Sequence, residues 1–534
     1  MKKLDNNGIK KILSVARGWI SDTARELEAR VPSGGKDGQI LMATADGAGK
    51  WIDVDLINSL SYGVEWDASG LSATMTRVGN PELHRSLPIQ SAMKGCIFNP
   101  IQKKVVYWLD DDNWYYKEGG NPEKGQPEQR ARLDGYDGEI YVYVPEFWIK
   151  SFIIGVKRQV RICPVKIDDS WEHQEGLFMA AWKITVLRSV PENMGYLSTL
   201  SVNAPVCVIN FNEYCRGGRF ETPDDSFDED SCFGGSDSLF TSTLGKCIVT
   251  ADADAIRSLA RQNNKEIISY RQYKNILYWL YVIEYANFDC QADMEDELTP
   301  EGFRKGGLGK GIVAAASWMW EFFNGRNPIT PAGYLWPMSM EPTCDSVDLS
   351  GNDQDEGFFY NADTDGLRWR GIENPFGDTY TYVEGLYAEY PKSSSTAWEI
   401  FEIPDKAKWG LSKILGAKDS KLLGTVNPND RYTEIRDWNT QSTSELIPEG
   451  QAAWEYCYTH DGISAIKTDS ENGDTVTYGK RYPVLFGGDC CSGPEYNWDA
   501  IGLGSIMIPT VGLNSSPIIG YRLVCDAKGV DLNR

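Results

Sequence analysis

Few side chains in this chain are spaced for catalysis. The three histidines, His84, His173 and His460, lie far apart, and none has local metal-ligand spacing to another. The twelve cysteines are scattered with no C-x-x-C pair, so neither a zinc site nor a redox motif is written here. At this density they read mostly as small buried apolar residues. A Cys215–Cys232 loop bridge is conceivable, but folding in a cytosol argues against it. Cys490 and Cys491 are adjacent, the wrong arrangement for jointly holding one metal ion. They read as a loop pair with one thiol inward and one outward. No Ser-His-Asp order stands out. The stretch Gly306-Gly307-Leu308-Gly309-Lys310-Gly311 lacks the ending of a phosphate-binding loop and follows no strong strand, so it reads as a flexible loop. No catalytic residue and no cofactor are expected.

Hard-cation and ligand binding have more to offer. Asn361-Ala362-Asp363-Thr364-Asp365-Gly366 opens like a calcium loop, but the twelfth position is Ile372 where a bidentate Glu belongs. Asp348, Asn352, Asp353 and Asp355 are close by in sequence and could join Asp363 and Asp365 as oxygen ligands; a solvated acidic turn is the other reading. The loop Asp489 to Trp498 is the binding candidate, through Asp489, Ser492, Glu495, Tyr496, Asn497 and Trp498. Flat aromatic faces stack on sugar rings, and short polar groups fix orientation. Trp498 has a second reading, as a core residue beneath the loop.

The elements that must hold these groups follow from composition and periodicity. At 534 residues the chain is too long for one core, so two to four domains are expected. Hydrophobic residues at 41% and aromatics at 12% supply cores and exclude wholesale disorder. Abundant Gly, Trp and Tyr suit β architecture with many turns. A net charge of −23, spread along the chain, repels phosphate backbones and disfavours nucleic-acid partners. No stretch reaches the ~18–20 apolar residues of a membrane span, and polar residues break any apolar run after Lys2-Lys3.

Residues 1–31 read as an amphipathic helix, with Ile9, Ile12, Leu13, Ala16, Ile20, Leu27 and Val31 on one face. Pro32-Ser33-Gly34-Gly35 ends it. Its stripe must dock on its own chain, on copies of itself, or in a socket on a larger particle. Gln39 to Met42 alternates like a short strand. Val105 to Leu109, an acidic turn at Asp110–Asn113 and Trp114 to Tyr116 read as a hairpin. Glu139 to Ile149 reads as one strong strand. Thr250 is the expected cap of a helix with Asp252 and Asp254 in its first turn. A second helix is expected over Tyr270–Asn287, with Ile276, Leu277, Leu280 and Ile283 on one stripe. Residues 216–240 and 341–366 read as long surface insertions.

Three islands carry a family resemblance. Phe486-Gly487-Gly488-Asp489-Cys490-Cys491-Ser492-Gly493, Ile519-Gly520-Tyr521-Arg522-Leu523-Val524 and Trp369-Arg370-Gly371-Ile372-Glu373-Asn374-Pro375-Phe376-Gly377-Asp378 together resemble the C-type-lectin-like fold in its formylglycine-generating-enzyme variant. That variant ends the receptor-binding proteins of phages, including those of gut Bacteroides (crAss-like) phages. The helix around Tyr278–Asn287 and the strand from Glu139 resemble further parts of it. Residues 32–51 resemble a Gly-rich module common in phage fibres, and 62–90 a block that precedes such lectin-like domains.

The resemblance implies an α+β chain in three parts. These are an N-terminal helix with the Gly-rich attachment module (1–56), a β-rich domain (57–138) and a large C-type-lectin-like domain (139–534). Trp369, Arg370, Gly371, Asn374, Gly377, Gly487, Gly488 and Arg522 would be structural, with Arg370 pairing Glu373 in the interior and Arg522 pointing inward. The implied protein is a homotrimeric virion fibre or spike, made in a bacterial cytosol, that joins other virion proteins through its N-terminal helix. It would bind a host-surface glycan or protein. A head fibre or capsid decoration is the alternative within virion structure. An oxidase is a second alternative, but the histidine cluster or spaced cysteine pair of the related enzymes is missing, so the fold carries over and the activity does not.

Overall fold

The computed structural model describes residues 39–43, 49–53, 56–67, 74–187, 195–201, 203–209, 252–309, 338–347, 364–389, 398–411, 419–426, 432–434, 456–459, 481–488, 502–508 and 519–532. The expected helix at 1–31 and the insertion at 216–240 lie outside them. Among the described residues the chain is a β-rich α+β protein with mainly antiparallel sheets.

Strands are numbered in chain order. β1 (Gln39–Ala43) and β2 (Gly49–Asp53) form a hairpin. A five-stranded sheet runs β10 (Glu172–Gln174), β8 (Phe147–Ile154), β9 (Lys157–Cys163), β3 (Tyr62–Asp67), β4 (Thr76–Gly79). A six-stranded sheet runs β14 (Glu266–Ile267), β26 (Leu523–Asp526), β11 (Leu177–Ala180), β7 (Glu139–Val144), β5 (Lys94–Asn99), β6 (Lys104–Trp108). β12 (Thr185–Leu187) pairs with β13 (Ala204–Val206), and β15 (Thr343–Val347) with β16 (Thr364–Trp369), which turns into β17 (Ile372–Glu373). The largest sheet runs β20 (Lys421–Val426), β19 (Trp398–Glu402), β18 (Tyr380–Glu389), β23 (Arg481–Gly487), β24 (Gly502–Ile508), β22 (Tyr456–Thr459), β21 (Tyr432–Glu434). β25 (Ile519–Gly520) lies parallel to β18.

The expected boundary between residues 138 and 139 is crossed by two sheets. β5 pairs with β7 from Lys94↔Tyr143 to Phe98↔Glu139, and β3 pairs with β9 along its whole length. One contiguous core gathers Tyr62, Phe98, Tyr141, Trp182, Trp369, Tyr382 and Leu523. Phe98 stacks on Phe178 at 4.1 Å, across the same boundary.

Several local expectations change in context. The single strand expected over Glu139–Ile149 is two strands, β7 and β8, in different sheets. The break falls at Pro145-Glu146, because proline has no N–H to continue a ladder. β6 makes its hairpin with β5; across the acidic turn the arms meet only in an antiparallel bridge, Leu109↔Lys117, with Asp110 N donating to Tyr116 O at 3.0 Å, and Trp114–Tyr116 is not a continuous strand. The acidic turn is present: Asp110 Oδ1 accepts from the Asp112 and Asn113 N–H groups at 3.2 Å each. The ends of the 341–366 stretch are strand, paired from Thr343↔Arg368 to Val347↔Thr364. The Gly306–Gly309 loop is tied down, with Gly309 N donating to Ala292 O at 2.9 Å.

Helices α1 (Leu56–Leu60) and α2 (Pro81–Ser86) are short. Helix α3 (Ala253–Gln262) is capped by Asp252, whose side chain accepts from Ala255 N; Thr250 is not the cap. A carboxylate one turn from three orphan N–H groups outcompetes a hydroxyl placed two residues too early. Helix α4 follows in three consecutive stretches, Tyr270–Gln272, a π-helical Tyr273–Leu280 and Tyr281–Tyr285. A Ser269–Gln272 capping box starts it.

The helix α2 places His84 under β3, 4% exposed. Its Nε2 lies 3.0 Å from Val78 O and 3.3 Å from Gly63 N. Burial lowers its pKa from 6.5 to about 4. The folded state therefore favours the neutral ring, and its contribution is complete above the unfolded pKa. As pH falls from 6.5 to 4, the unfolded chain takes up the proton first and stability falls, by about 3 kcal/mol at the lower limit. Denaturant titrations should show that slope in the wild type and a flatter one in His84→Phe across the same window.

Candidate functional site

The candidate binding residues Asp489, Ser492, Glu495, Tyr496, Asn497 and Trp498 lie outside the described residues, as do Cys490, Cys491 and His460. The two strands that bracket their loop are described. β23 and β24 run antiparallel through Leu485↔Met507 and Phe486↔Ile506, then slip to pair Gly487 with Gly502. Gly487 (φ +101) and Gly488 (φ +72) turn the backbone through a region where a side chain would strain it. Gly377 N donates to Gly487 O at 3.0 Å, so two of the expected turn glycines meet.

The root of that loop is bonded to α4 below it. The Tyr273 hydroxyl donates to Leu503 O at 3.0 Å, and Leu503 N donates to Cys290 Sγ at 3.3 Å. The Tyr273 ring lies 4.8 Å from that of Phe486. One buried stripe is expected of helix α4; instead it is buried all round from Asn275 to Tyr285, and only Arg271, Gln272 and Lys274 in its first turns reach solvent. Its run of Tyr, Trp, Ile and Leu residues carried that signal, since an all-round apolar helix is a core helix. The π-helical stretch had no signal in periodicity. Such stretches widen a helix locally and recur at functional sites.

The turn Trp369-Arg370-Gly371 joins β16 to β17. Arg370 (φ +52) and Gly371 (φ +79) both adopt left-handed backbone. A Cβ at Gly371 would meet the Trp114 ring at 2.8 Å. Arg370 does not pair with Glu373, as expected, but with Glu284 at the end of α4. Its Nη2 donates to Oε1 at 2.6 Å and its Nε to Oε2 at 3.1 Å. Trp369 Nε1 donates to the same carboxylate at 3.0 Å, and Arg304 Nε lies 3.0 Å from Oε1. Glu284 is 1% exposed, so this carboxylate exchanges its water shell for two guanidinium groups and an indole. The Asn374 side chain accepts from Leu367 N at 3.1 Å, closing the same turn. Phe376 and Trp369 are core residues.

Arg522 is wholly buried. It donates to the carbonyls of Ala180 at 2.8 Å, Glu373 at 2.9 Å and Asn374 at 3.3 Å. One side chain thereby ties the six-stranded sheet to the turn after β17.

No family model matches the chain, and no curated protein matches it.

Cys96, Cys163, Cys207, Cys290 and Cys525 are buried free thiols, with Cys344 half-buried. Burial pushes Cys163 up to about 11 and Cys525 up to about 12, so neither is a thiolate near neutrality. No group of three or more His, Cys, Asp or Glu side chains among the described residues is close enough to hold a metal. Of the calcium candidates, Asp348, Asn352, Asp353, Asp355 and Asp363 lie outside the described residues, while Asp365 is on β16 opposite Ser346. His173 stacks on Trp148 at 4.7 Å, with its Nε2 3.3 Å from Glu146. No helix among the described residues is long and apolar enough to cross a membrane.

Proposed function

We propose that this chain is a bacteriophage virion fibre or spike protein whose C-type-lectin-like domain binds a host-surface glycan, and that it is not an enzyme. The reading rests on one observation. Residues 489–501, rich in polar and aromatic side chains, link Gly488, just after β23, to Gly502 at the start of the adjacent β24, and Leu503 at that root is bonded to Tyr273 of the largely buried α4 and to Cys290. Binding residues belong on loops carried by a rigid base, because the base holds the geometry while the loop is free to vary. Tyr496 and Trp498 would stack on sugar rings, with Asp489, Ser492, Glu495 and Asn497 supplying hydrogen bonds.

In this reading residues 1–31 join the chain to other virion proteins, and the fibre is a homotrimer. A single shallow site is weak, and several copies on one particle make attachment firm through effective concentration. The acidic surface, with 76 acidic against 53 basic residues, keeps the protein off nucleic acid.

Simultaneous replacement of Glu495, Tyr496 and Asn497 by alanine tests the reading. The variant should melt with the wild type, while particles carrying it should lose adsorption to host cells to background. Particles that adsorb like wild type despite normal incorporation would overturn it.

A further inference from the structure

A cleft of ≈ 700 Å³ opens beside the short edge strand β14, and none of its lining residues is one used above for binding. Its size falls in the usual ligand range of roughly 300–1,000 Å³, but its walls are polar where most ligand pockets are apolar. The floor is Phe98, Leu177 and Val524. β14 is two residues long and ends opposite Val524, so β26 continues past it to Asp526.

The walls differ in charge. Lys103, from the turn between β5 and β6, and Arg261, from the last turn of α3, line the cleft. Neither has a carboxylate partner among the described residues; the Arg261 guanidinium donates only to Lys406 O, at 3.3 Å. Glu175 and Asp526 line it from β11's approach and from β26, and neither meets a cation among the described residues. Both side chains are exposed, so their charges are free to meet a ligand in the cleft.

A second observation falls on the same place. Lys103 (φ +49) and Asn264 (φ +56) are both non-glycine residues in left-handed backbone, and both line the cleft. Asn264 Nδ2 points its hydrogen bonds at the carbonyls of Pro100 and Ile101, 3.5 Å each, so the two strained turns touch. Left-handed backbone costs about 1–3 kcal/mol at a residue such as lysine, and such strain persists where the surrounding structure enforces it, commonly at ligand sites.

We infer that this cleft binds an anionic oligosaccharide, with a carboxylate or sulfate of the sugar against Lys103 and Arg261, and its hydroxyls on Glu175, Asn264 and Asp526. Cations select the acidic group, and unpaired carboxylates and an amide accept from vicinal hydroxyls. A neutral sugar leaves both cations unanswered. A simple inorganic anion leaves the opposite wall unused. No residue of 489–501 lines the cleft, and the two proposals are tested by different variants, so either can fail without the other.

The test is calorimetric titration of the full-length protein with three anionic probes: trigalacturonate, 3′-sialyllactose and a sulfated heparin trisaccharide. Maltotriose and inorganic sulfate are the comparisons. At least one anionic trisaccharide should bind saturably and at least tenfold more tightly than either comparison. Its binding should weaken at least tenfold in Lys103→Ala/Arg261→Ala, and severalfold in Glu175→Gln/Asp526→Asn. The Glu495, Tyr496, Asn497 triple-alanine variant should bind it like wild type. Three outcomes would each overturn the inference: no binding of any anionic trisaccharide, sulfate binding of equal strength, or binding that survives loss of both cations in a variant that melts normally.

Discussion

Replacing Glu284 with alanine is expected to destabilise the folded protein by about 3–5 kcal/mol, among the largest single-residue effects in the chain. The carboxylate is 1% exposed and answers Arg370 twice, Arg304 once and the Trp369 indole once. Removing it leaves Arg370 beside the core with no carboxylate partner, while Arg304 keeps only the exposed Glu341 at 3.4 Å. Desolvated charges of one sign cannot stay together, so the turn at Arg370–Gly371 must open to water. That turn already carries left-handed backbone at a non-glycine residue, which only tight surroundings sustain. The damage should therefore spread to Trp369 and Trp114, and tryptophan fluorescence should report it along with the denaturation midpoint. Glu284→Gln keeps hydrogen-bonding oxygen but not charge, so it should fall between wild type and alanine. A loss under about 1 kcal/mol for alanine would mean that water reaches the pair in solution, as at an ordinary surface ion pair.

Arg522→Met should cost a comparable amount for a different reason. Arg522 has no exposed surface, and its guanidinium donates to three main-chain carbonyls from two parts of the fold. Methionine fills most of the volume, so a cavity is not the main penalty. The penalty is three buried acceptors left without donors, at about 1–3 kcal/mol each where no water replaces the arginine. Arg522→Lys restores one or two of those bonds and should recover part of the loss. Urea unfolding of the three proteins checks the order wild type, lysine, methionine. Equal stability of the lysine and methionine variants would show that charge alone contributes nothing at this position and that lysine restores none of the three bonds.

The first prediction removes the partner of Arg370, in the Trp-Arg-Gly turn, and the second replaces Arg522. That these two arginines turn inward was legible in the sequence, through the family resemblance of the motifs that carry them. The partner of Arg370 was not. Glu373 is three residues away and Glu284 is eighty-six, and nothing in local spacing favours the distant one. The turn decides it: left-handed backbone at Arg370 and Gly371 reverses the chain, and β17 pairs back along β16 while the arginine reaches the end of α4.

The candidate ligand site divides in the same way. A loop bracketed by glycines and bearing Tyr496, Asn497 and Trp498 can be read from composition, since these residue types do their work locally. That its root is bonded to Tyr273 of α4 and to Cys290 beyond the helix cannot, because those contacts join residues more than two hundred positions apart. The polar cleft beside β14 left no mark in the sequence, since its walls come from turns, a helix end and strands in distant parts of the chain.

What the sequence determined by itself was therefore what short-range chemistry controls. This includes the β-rich α+β character, the helices at Ala253–Gln262 and Tyr270–Tyr285, and the buried glycine and tryptophan turns. Tertiary structure alone decided which strands are neighbours. It split Glu139–Ile149 between two sheets at Pro145, and it joined residues before and after 138 in one core. Strand pairing exchanges hydrogen bonds between any two edges that the whole chain brings together, and the free energy of that choice resides in the contact between segments rather than in either segment.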